Sequence, residues 1–170
     1  IQELCKLLNA MGAGVQNIGS NTLVIEGKES LHGAEFTIGP DYLEVISFVG
    51  AAVVTRGEIR IKNAGVEHLS MIKMVLKRLG VDITFVGDDI LVSANQRLVI
   101  EPDLGNAIPE ISVMPWPAFP TDLMSIAIVI ATQSTGTILF HDWMYPSRMF
   151  FTDKLVSMGA QIVFCDPHRC

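Results

Sequence analysis

The sequence predicts an α/β (α+β) fold made of pseudo-symmetric repeats of one strand-helix-strand-helix-strand-strand unit. Three amphipathic segments share one helix-Gly-strand pattern, and two almost wholly apolar helical segments share another. Gly57 and Gly136 are 79 positions apart, as are Gly80 and Gly159. This period is longer than that of most solenoid repeats, so it favours a closed domain in which sheets pack around buried helices.

Each amphipathic segment carries apolar residues at i, i+3, i+4 and i+7, the spacing of a helix with one buried face. The segments are 4–13, 71–81 and 152–160. Each ends in Leu or Met followed by Gly, which adopts the left-handed position after a helix without steric cost. We expect a strand after each helix, at Val15–Ile18, Asp82–Val86 and Gln161–Phe164.

Two of these strands continue into hairpins. The turns 19–21 and 87–89 are short and polar, and each leads into an apolar run, at 23–25 and 90–92.

The two apolar segments, Leu43–Thr55 and Leu123–Ser134, should be helices that are buried on most faces. Each precedes a Gly and a predicted strand, at 58–61 and 137–140.

The start of the second apolar helix is set by prolines. Residues 115–122 read Pro-Trp-Pro-Ala-Phe-Pro-Thr-Asp, and three prolines in six positions exclude a helix there. Thr121 or Asp122 is therefore the predicted helix N-cap, because Thr and Asp are favoured caps. A carboxylate held by so stiff a loop is also well placed for chemistry. The residues alone leave both interpretations of Asp122 open.

Composition and charge exclude several classes of protein. The chain has 170 residues, of which 49% are hydrophobic and 18% charged, as in a globular domain. Its net charge is −6 and no basic stripe is present, so we expect no nucleic-acid partner. No apolar run reaches the length of a membrane span. Three scattered cysteines indicate a reducing, cytoplasmic compartment. The first residue, Ile1, and the abrupt end at Cys170 suggest a piece of a longer protein.

The motifs together resemble the enolpyruvyl transferase family over essentially the whole chain. They are 40–44 (Pro-Asp-Tyr-Leu-Glu), 51–57 (Ala-Ala-Val-Val-Thr-Arg-Gly), 117–122 (Pro-Ala-Phe-Pro-Thr-Asp), and Arg148 ahead of 155–160. The resemblance implies an inside-out barrel with two lobes of three units each, here incomplete. Residues 1–38 would end one lobe, and residues 39–170 would supply about two of the three units of the other.

The resemblance also implies an activity. The enolpyruvyl group of phosphoenolpyruvate would move to the 3-hydroxyl of UDP-N-acetylglucosamine, in the first committed step of peptidoglycan precursor synthesis. Those two small molecules would be the substrates, and no cofactor or metal is needed. A transferase of the same fold for shikimate 3-phosphate is the alternative, and a non-catalytic scaffold of that fold is another. The family's mobile catalytic loop lies upstream of this segment, so we expect the chain alone to be inactive. An incomplete domain should expose an apolar helix face or a sheet edge, so we also expect the chain to self-associate.

Matched by motif, three residues would be catalytic. Asp122 would take the proton of the sugar hydroxyl, Asp41 would be a second active-site carboxylate, and Arg148 would bind the reacting anions. Asp41 could equally be only a helix cap, and Arg148 only a solvated arginine at a helix start. Substrate binding would fall to Asp122 with three further residues, Met144, Phe119 and Thr121.

Three positions depart from the usual pattern of the family. Trp116 stands where a His is common, Tyr42 replaces a common Arg, and Pro146 lies near a usual acidic position. We expect these departures to affect fine substrate contacts.

Overall fold

The computed structural model describes residues 1–170 and divides them into two compact units, Ile1–Gly39 and Pro40–Cys170. The assignment of these units to two different lobes stays a prediction. No helix in the chain has the length and apolarity that crossing a membrane would require. The elements, in chain order, are α1 (Gln2–Ala10), β1 (Gly14–Gln16), β2 (Val24–Glu26), α2 (Tyr42–Thr55), β3 (Ile59–Ile61), α3 (Ser70–Arg78), β4 (Ile83–Val86), β5 (Asp89–Val92), β6 (Glu110–Ser112), α4 (Met124–Ala131), β7 (Leu139–His141) and α5 (Thr152–Ser157).

The first unit contains α1 and the antiparallel hairpin of β1 and β2, as predicted. Gly12 has a φ of +95°, which confirms the left-handed position expected after α1. The Asn9 side chain then joins the helix to the hairpin. It accepts from Val15 N at 2.8 Å and donates to Val15 O at 2.7 Å.

The second unit contains the predicted repeat. Its first copy runs α2-β3-α3-β4-β5, with β5 between β3 and β4 in an antiparallel sheet, and its second copy runs β6-α4-β7-α5. Strands β6 and β7 are parallel neighbours joined through α4. Gly80 and Gly159 have φ values of +79° and +99°, so the second and third amphipathic helices also end at left-handed glycines. The α/β fold of incomplete repeats is therefore confirmed.

The core lies where α2 packs against α4. Gly50 permits this close approach, because a Cβ there would lie 2.7 Å from a methyl carbon of Ile126. Val49 and Ile130 are fully buried beside it. One stripe of α2 nevertheless faces solvent, where Phe48 is 58% exposed. The other exposed members of this stripe are Glu44, Ser47, Ala51 and Thr55.

The predicted strand at 161–164 is wrong. That segment has no partner strand in the structure. One edge of β7 is occupied by β6, and the other by the end of the chain, where Phe140 and Cys170 exchange backbone hydrogen bonds of 2.8 and 3.1 Å. With both edges of β7 occupied, the segment cannot pair with β7. Cys165 lies exposed at the bend that follows this segment.

Candidate functional site

The proline-rich loop is folded tightly onto the core. Met114 N donates to Phe119 O at 3.0 Å, and Ala118 N donates to Pro115 O at 3.1 Å. Phe119 is only 3% exposed, so its ring anchors the loop in the apolar interior. The loop runs directly into a 3₁₀ turn, Thr121–Leu123, that precedes α4. The stiff backbone and the buried ring therefore fix where Asp122 emerges.

Asp122 forms an ion pair with Arg148, 26 positions further along the chain. A guanidinium nitrogen of Arg148 donates to Asp122 Oδ1. Arg148 is the first residue of another 3₁₀ turn, Arg148–Phe151, which precedes α5. The side chain of Asp122 is 54% exposed and that of Arg148 is 37% exposed, so solvent or a ligand can reach both. The structure thus brings together two residues that the motifs assign to one active site.

The prediction that Thr121 or Asp122 caps the helix is wrong. Neither side chain accepts a hydrogen bond from the helix backbone, and residue 120 precedes the 3₁₀ turn without a side-chain cap. The Thr121 hydroxyl donates instead to Asp142, and the Asp122 carboxylate accepts from Arg148. Because the Thr121 hydroxyl and the Asp122 carboxylate have these other partners, helix capping does not explain the position of Asp122.

Asp41 does cap a helix. It precedes α2, and its carboxylate accepts from Leu43 N at 2.8 Å. The charges of two carboxylates act on its neighbour Tyr42. Burial raises the pKa of the Tyr42 hydroxyl, and the negative charges of Asp122 and then Asp41 raise it further. The residues at the starts of α2 and α4 thus include two aspartates close enough to Tyr42 to raise its pKa.

Aromatic side chains flank this acidic site. The ring of Trp116 lies 5.5 Å from that of Tyr42 and 6.4 Å from that of His68, measured between centroids. The guanidinium of Arg148 lies 5.4 Å from the centroid of Tyr145, a cation–π contact. Two of the departures noted in the sequence, at positions 42 and 116, are thus partners in one ring contact.

Met144 lies in the loop after β7 and is half-buried against the core. Its backbone N–H donates to Asp142 Oδ1 at 3.1 Å, so its carbonyl oxygen is the main-chain group left for a ligand. Sequence reasoning missed Asp142, which is fully buried. The available signal was a single Asp in the mostly apolar segment 138–144, since Asp is rarely buried without partners.

A groove in the second unit lies away from this site. It has a volume of about 850 Å³ and is lined mainly by α4, by residues near β7 and by the segment 159–163, together with Cys165 and Cys170. None of the six predicted site residues lines it. Burial, and next the nearby Cys165, raises the pKa of the Cys170 thiol to about 11. A thiol with so high a pKa is a poor nucleophile at neutral pH.

No set of three or more His, Cys, Asp and Glu side chains is grouped so as to hold a metal ion.

The comparisons with known proteins define the class of protein. Residues 1–166 match the family described as EPSP synthase (3-phosphoshikimate 1-carboxyvinyltransferase). The chain belongs to this family. The enolpyruvyl transferase NikO from Streptomyces tendae shares the fold, with a TM-score of 0.78 over 99% of this chain and 39% of that one, at 22% identity.

Several curated relatives with about half of their aligned residues identical share one name. The chain is 52% identical over 169 residues to the UDP-N-acetylglucosamine 1-carboxyvinyltransferase of Bradyrhizobium diazoefficiens, and 52% identical to that of Treponema pallidum. The corresponding enzyme of Bacteroides fragilis is 49% identical. Each match covers 99% of this chain but only 39–40% of the relative. The chain therefore spans about two fifths of the length of these relatives.

Proposed function

We propose that the full-length protein containing this chain transfers the enolpyruvyl group of phosphoenolpyruvate to the 3-hydroxyl of UDP-N-acetylglucosamine and releases phosphate. The observation that carries this proposal is the Asp122–Arg148 pair at the end of the proline-rich loop. It places a proton acceptor and a cation together on a reachable surface, in a chain about half identical to enzymes named for this reaction.

Asp122 is the proposed base. The 3-hydroxyl oxygen bonds to C2 of phosphoenolpyruvate while its proton passes to a carboxylate oxygen, and an acid in the rest of the protein gives a proton to the methylene carbon. Loss of that proton and of phosphate then restores the double bond. A base must lie within hydrogen-bond reach of the hydroxyl that it deprotonates. Asp122 suits this role because its carboxylate is exposed and is not used to cap α4.

Arg148 is the proposed anion-binding residue. A guanidinium has five N–H donors in a planar fork, so it can hold Asp122 through one nitrogen and still offer donors to a phosphate or carboxylate. Its contact with the Tyr145 ring restricts the orientation of that fork. Arg148 can thereby link the base to the anionic substrate.

The other predicted residues take supporting roles in this proposal. Met144 offers its carbonyl oxygen to the nucleotide sugar. Phe119 and Thr121 are buried, so they shape the wall that bears Asp122. Asp41 adds a second negative charge beside Tyr42, with a catalytic role in addition to its cap.

The wider context follows from the same reaction. Both substrates are small molecules, and peptidoglycan precursors are made in the cytoplasm, where we place the protein. In this proposal residues 1–38 complete one lobe, residues 39–170 form about two units of the other, and the rest of the protein supplies the remaining catalytic groups. We therefore expect the 170-residue chain alone to be inactive.

An acceptor assay tests the proposal. The full-length protein is incubated with phosphoenolpyruvate and either UDP-N-acetylglucosamine or shikimate 3-phosphate, and phosphate release is followed. We expect release with the nucleotide sugar alone. Release only with shikimate 3-phosphate, the substrate in the family's description, would favour that alternative. No release with either acceptor would favour a non-catalytic module.

A further inference from the structure

Asp142 is a fully buried carboxylate directly after β7. It accepts hydrogen bonds from three donors on two separate segments. One oxygen accepts from the Thr121 hydroxyl. The other accepts from the backbone N–H groups of Met144 at 3.1 Å and Tyr145 at 3.3 Å. A buried charge is tolerated only when it is well paired, and here every partner is a donor.

The backbone of Asp142 is fixed as firmly as its side chain. Asp142 N donates to His168 O at 2.9 Å, and the His168 ring nitrogen Nδ1 lies 2.8 Å from Asp142 O, the geometry of a ring N–H donating to a carbonyl. His168 is itself held by Asp166, whose carboxylate accepts from His168 N at 2.8 Å. The carboxylate therefore sits at a rigid point of the unit.

The three donors belong to the two segments that carry the proposed site. Thr121 immediately precedes Asp122, the proposed base. Met144 and Tyr145 form the loop proposed to meet the nucleotide sugar, and Tyr145 also contacts Arg148. No other side chain accepts hydrogen bonds from both segments. Asp142 thus connects the segment that bears the proposed base to the proposed sugar-binding loop.

We propose that Asp142 is a positioning residue that aligns Asp122 with the sugar-binding loop. This inference rests on the function proposed above. Asp142 touches no substrate and acts through Thr121 on one side and through Met144 and Tyr145 on the other. Misplacing a reacting group by about 1 Å can reduce turnover about a hundredfold, so a residue of this kind affects rate as well as stability.

Three variants of the full-length protein separate the two arms of the contact. Asp142→Ala removes all three acceptor contacts. Thr121→Val removes only the arm that leads to Asp122 and keeps the shape of the side chain. Asp142→Asn can still accept from the two N–H groups and donate to the Thr121 oxygen, so it tests rescue by a conservative change. Ser134→Ala is the matched control, because it deletes a half-buried hydrogen bond to Leu79 O (2.9 Å) just beyond the C-terminal end of α4.

The readouts are kcat, the Kd for UDP-N-acetylglucosamine and the thermal midpoint. We expect Asp142→Ala to lower kcat about a hundredfold and to weaken nucleotide-sugar binding. Thr121→Val should lower kcat about tenfold and change the Kd far less than Asp142→Ala does. The double variant should be no slower than Asp142→Ala, because both changes break one contact. Asp142→Asn should retain kcat within a few-fold, and Ser134→Ala should lower only the midpoint.

A purely structural role predicts a different result. Asp142→Ala and Thr121→Val would then lower the midpoint, as Ser134→Ala does, with kcat per folded molecule unchanged, and that result would overturn the inference. If Asp142→Ala does not fold, Thr121→Val decides by the same criterion. An active wild-type protein with unaffected variants refutes only the positioning role. An inactive wild-type protein refutes the proposed function and this inference with it.

Discussion

Replacing Asp122 by Asn in the full-length protein removes a negative charge and a proton acceptor but keeps the shape of the side chain. If Asp122 is the base, turnover should fall by about 10²–10⁴-fold, the usual contribution of general acid–base catalysis. The Kd for UDP-N-acetylglucosamine should change far less, because an amide still hydrogen-bonds the sugar hydroxyl.

The structure predicts that this loss of rate comes with almost no loss of stability. The pair with Arg148 is largely solvent-exposed, and exposed ion pairs contribute about 0–1 kcal/mol. Asp122 also caps no helix, so the cost of about 1 kcal/mol for losing a cap does not apply. Asp41→Ala is the comparison, because Asp41 does cap α2 and its loss should cost about 1 kcal/mol.

The assay combines phosphate release with urea denaturation of the same preparations. Asp122→Asn and Asp122→Ala should have free energies of unfolding within about 1 kcal/mol of the wild type. Asp122→Asn with wild-type kcat would refute the proposed base. A drop of more than about 2 kcal/mol in either variant would show that Asp122 has a structural role that its exposure does not predict.

Other expectations follow from single contacts. Arg148→Lys keeps the charge but loses the planar fork, so steady-state kinetics should show a rise of about tenfold or more in the KM for phosphoenolpyruvate; an unchanged KM would contradict anion binding by Arg148. Because the pKa of Cys170 is raised to about 11, alkylation at pH 8 followed by mass spectrometry should modify the exposed Cys165 and spare Cys170, and equal labelling would contradict this. Because the folded chain holds the Cys170 proton more tightly than the unfolded chain does, this group contributes to stability below pH 9 and the contribution is lost as the pH rises through about 11. The loss in the free energy of unfolding should be about 1 kcal/mol after allowance for the partial exposure of the thiol, and a Cys170→Ala variant should not show it. The 170-residue chain should self-associate in size-exclusion chromatography with light scattering through its exposed α2 stripe, and Phe48→Ser should shift it towards monomer; a sharp monomeric profile of the unmodified chain would count against this.

The periodicity of apolar residues predicted most of the helices and hairpins, because interactions between residues close in sequence determine these elements. The apolar spacing of α1, α3 and α5 and the glycines after them specify helix and stop within a few residues, and the structure follows. The two hairpins were predictable for the same reason, since a short polar turn between apolar runs closes locally. The strand at 161–164 failed because strand formation depends on a free neighbouring edge, which no local pattern shows.

The candidate site was only partly predictable. The motifs identified Asp122 and Arg148, but only the folded chain shows that they pair. The expected helix cap failed because Asp142 and Arg148, both distant in sequence, compete for Thr121 and Asp122. Asp142 stands out in the sequence only as an Asp in a mostly apolar segment, because its three donors are assembled by packing. Likewise, the sequence gives no sign that Tyr42 and Trp116 are neighbours, whereas in the structure their ring centroids lie 5.5 Å apart.

A crystal structure of the full-length protein with UDP-N-acetylglucosamine bound would test the central claim most directly. The decisive quantity is the distance from the sugar 3-hydroxyl oxygen to the nearer carboxylate oxygen of Asp122. We predict about 2.6–3.2 Å, the reach of a general base. A sugar bound more than about 5 Å from Asp122 with no bridging water, or bound in the groove beside Cys170, would contradict the account.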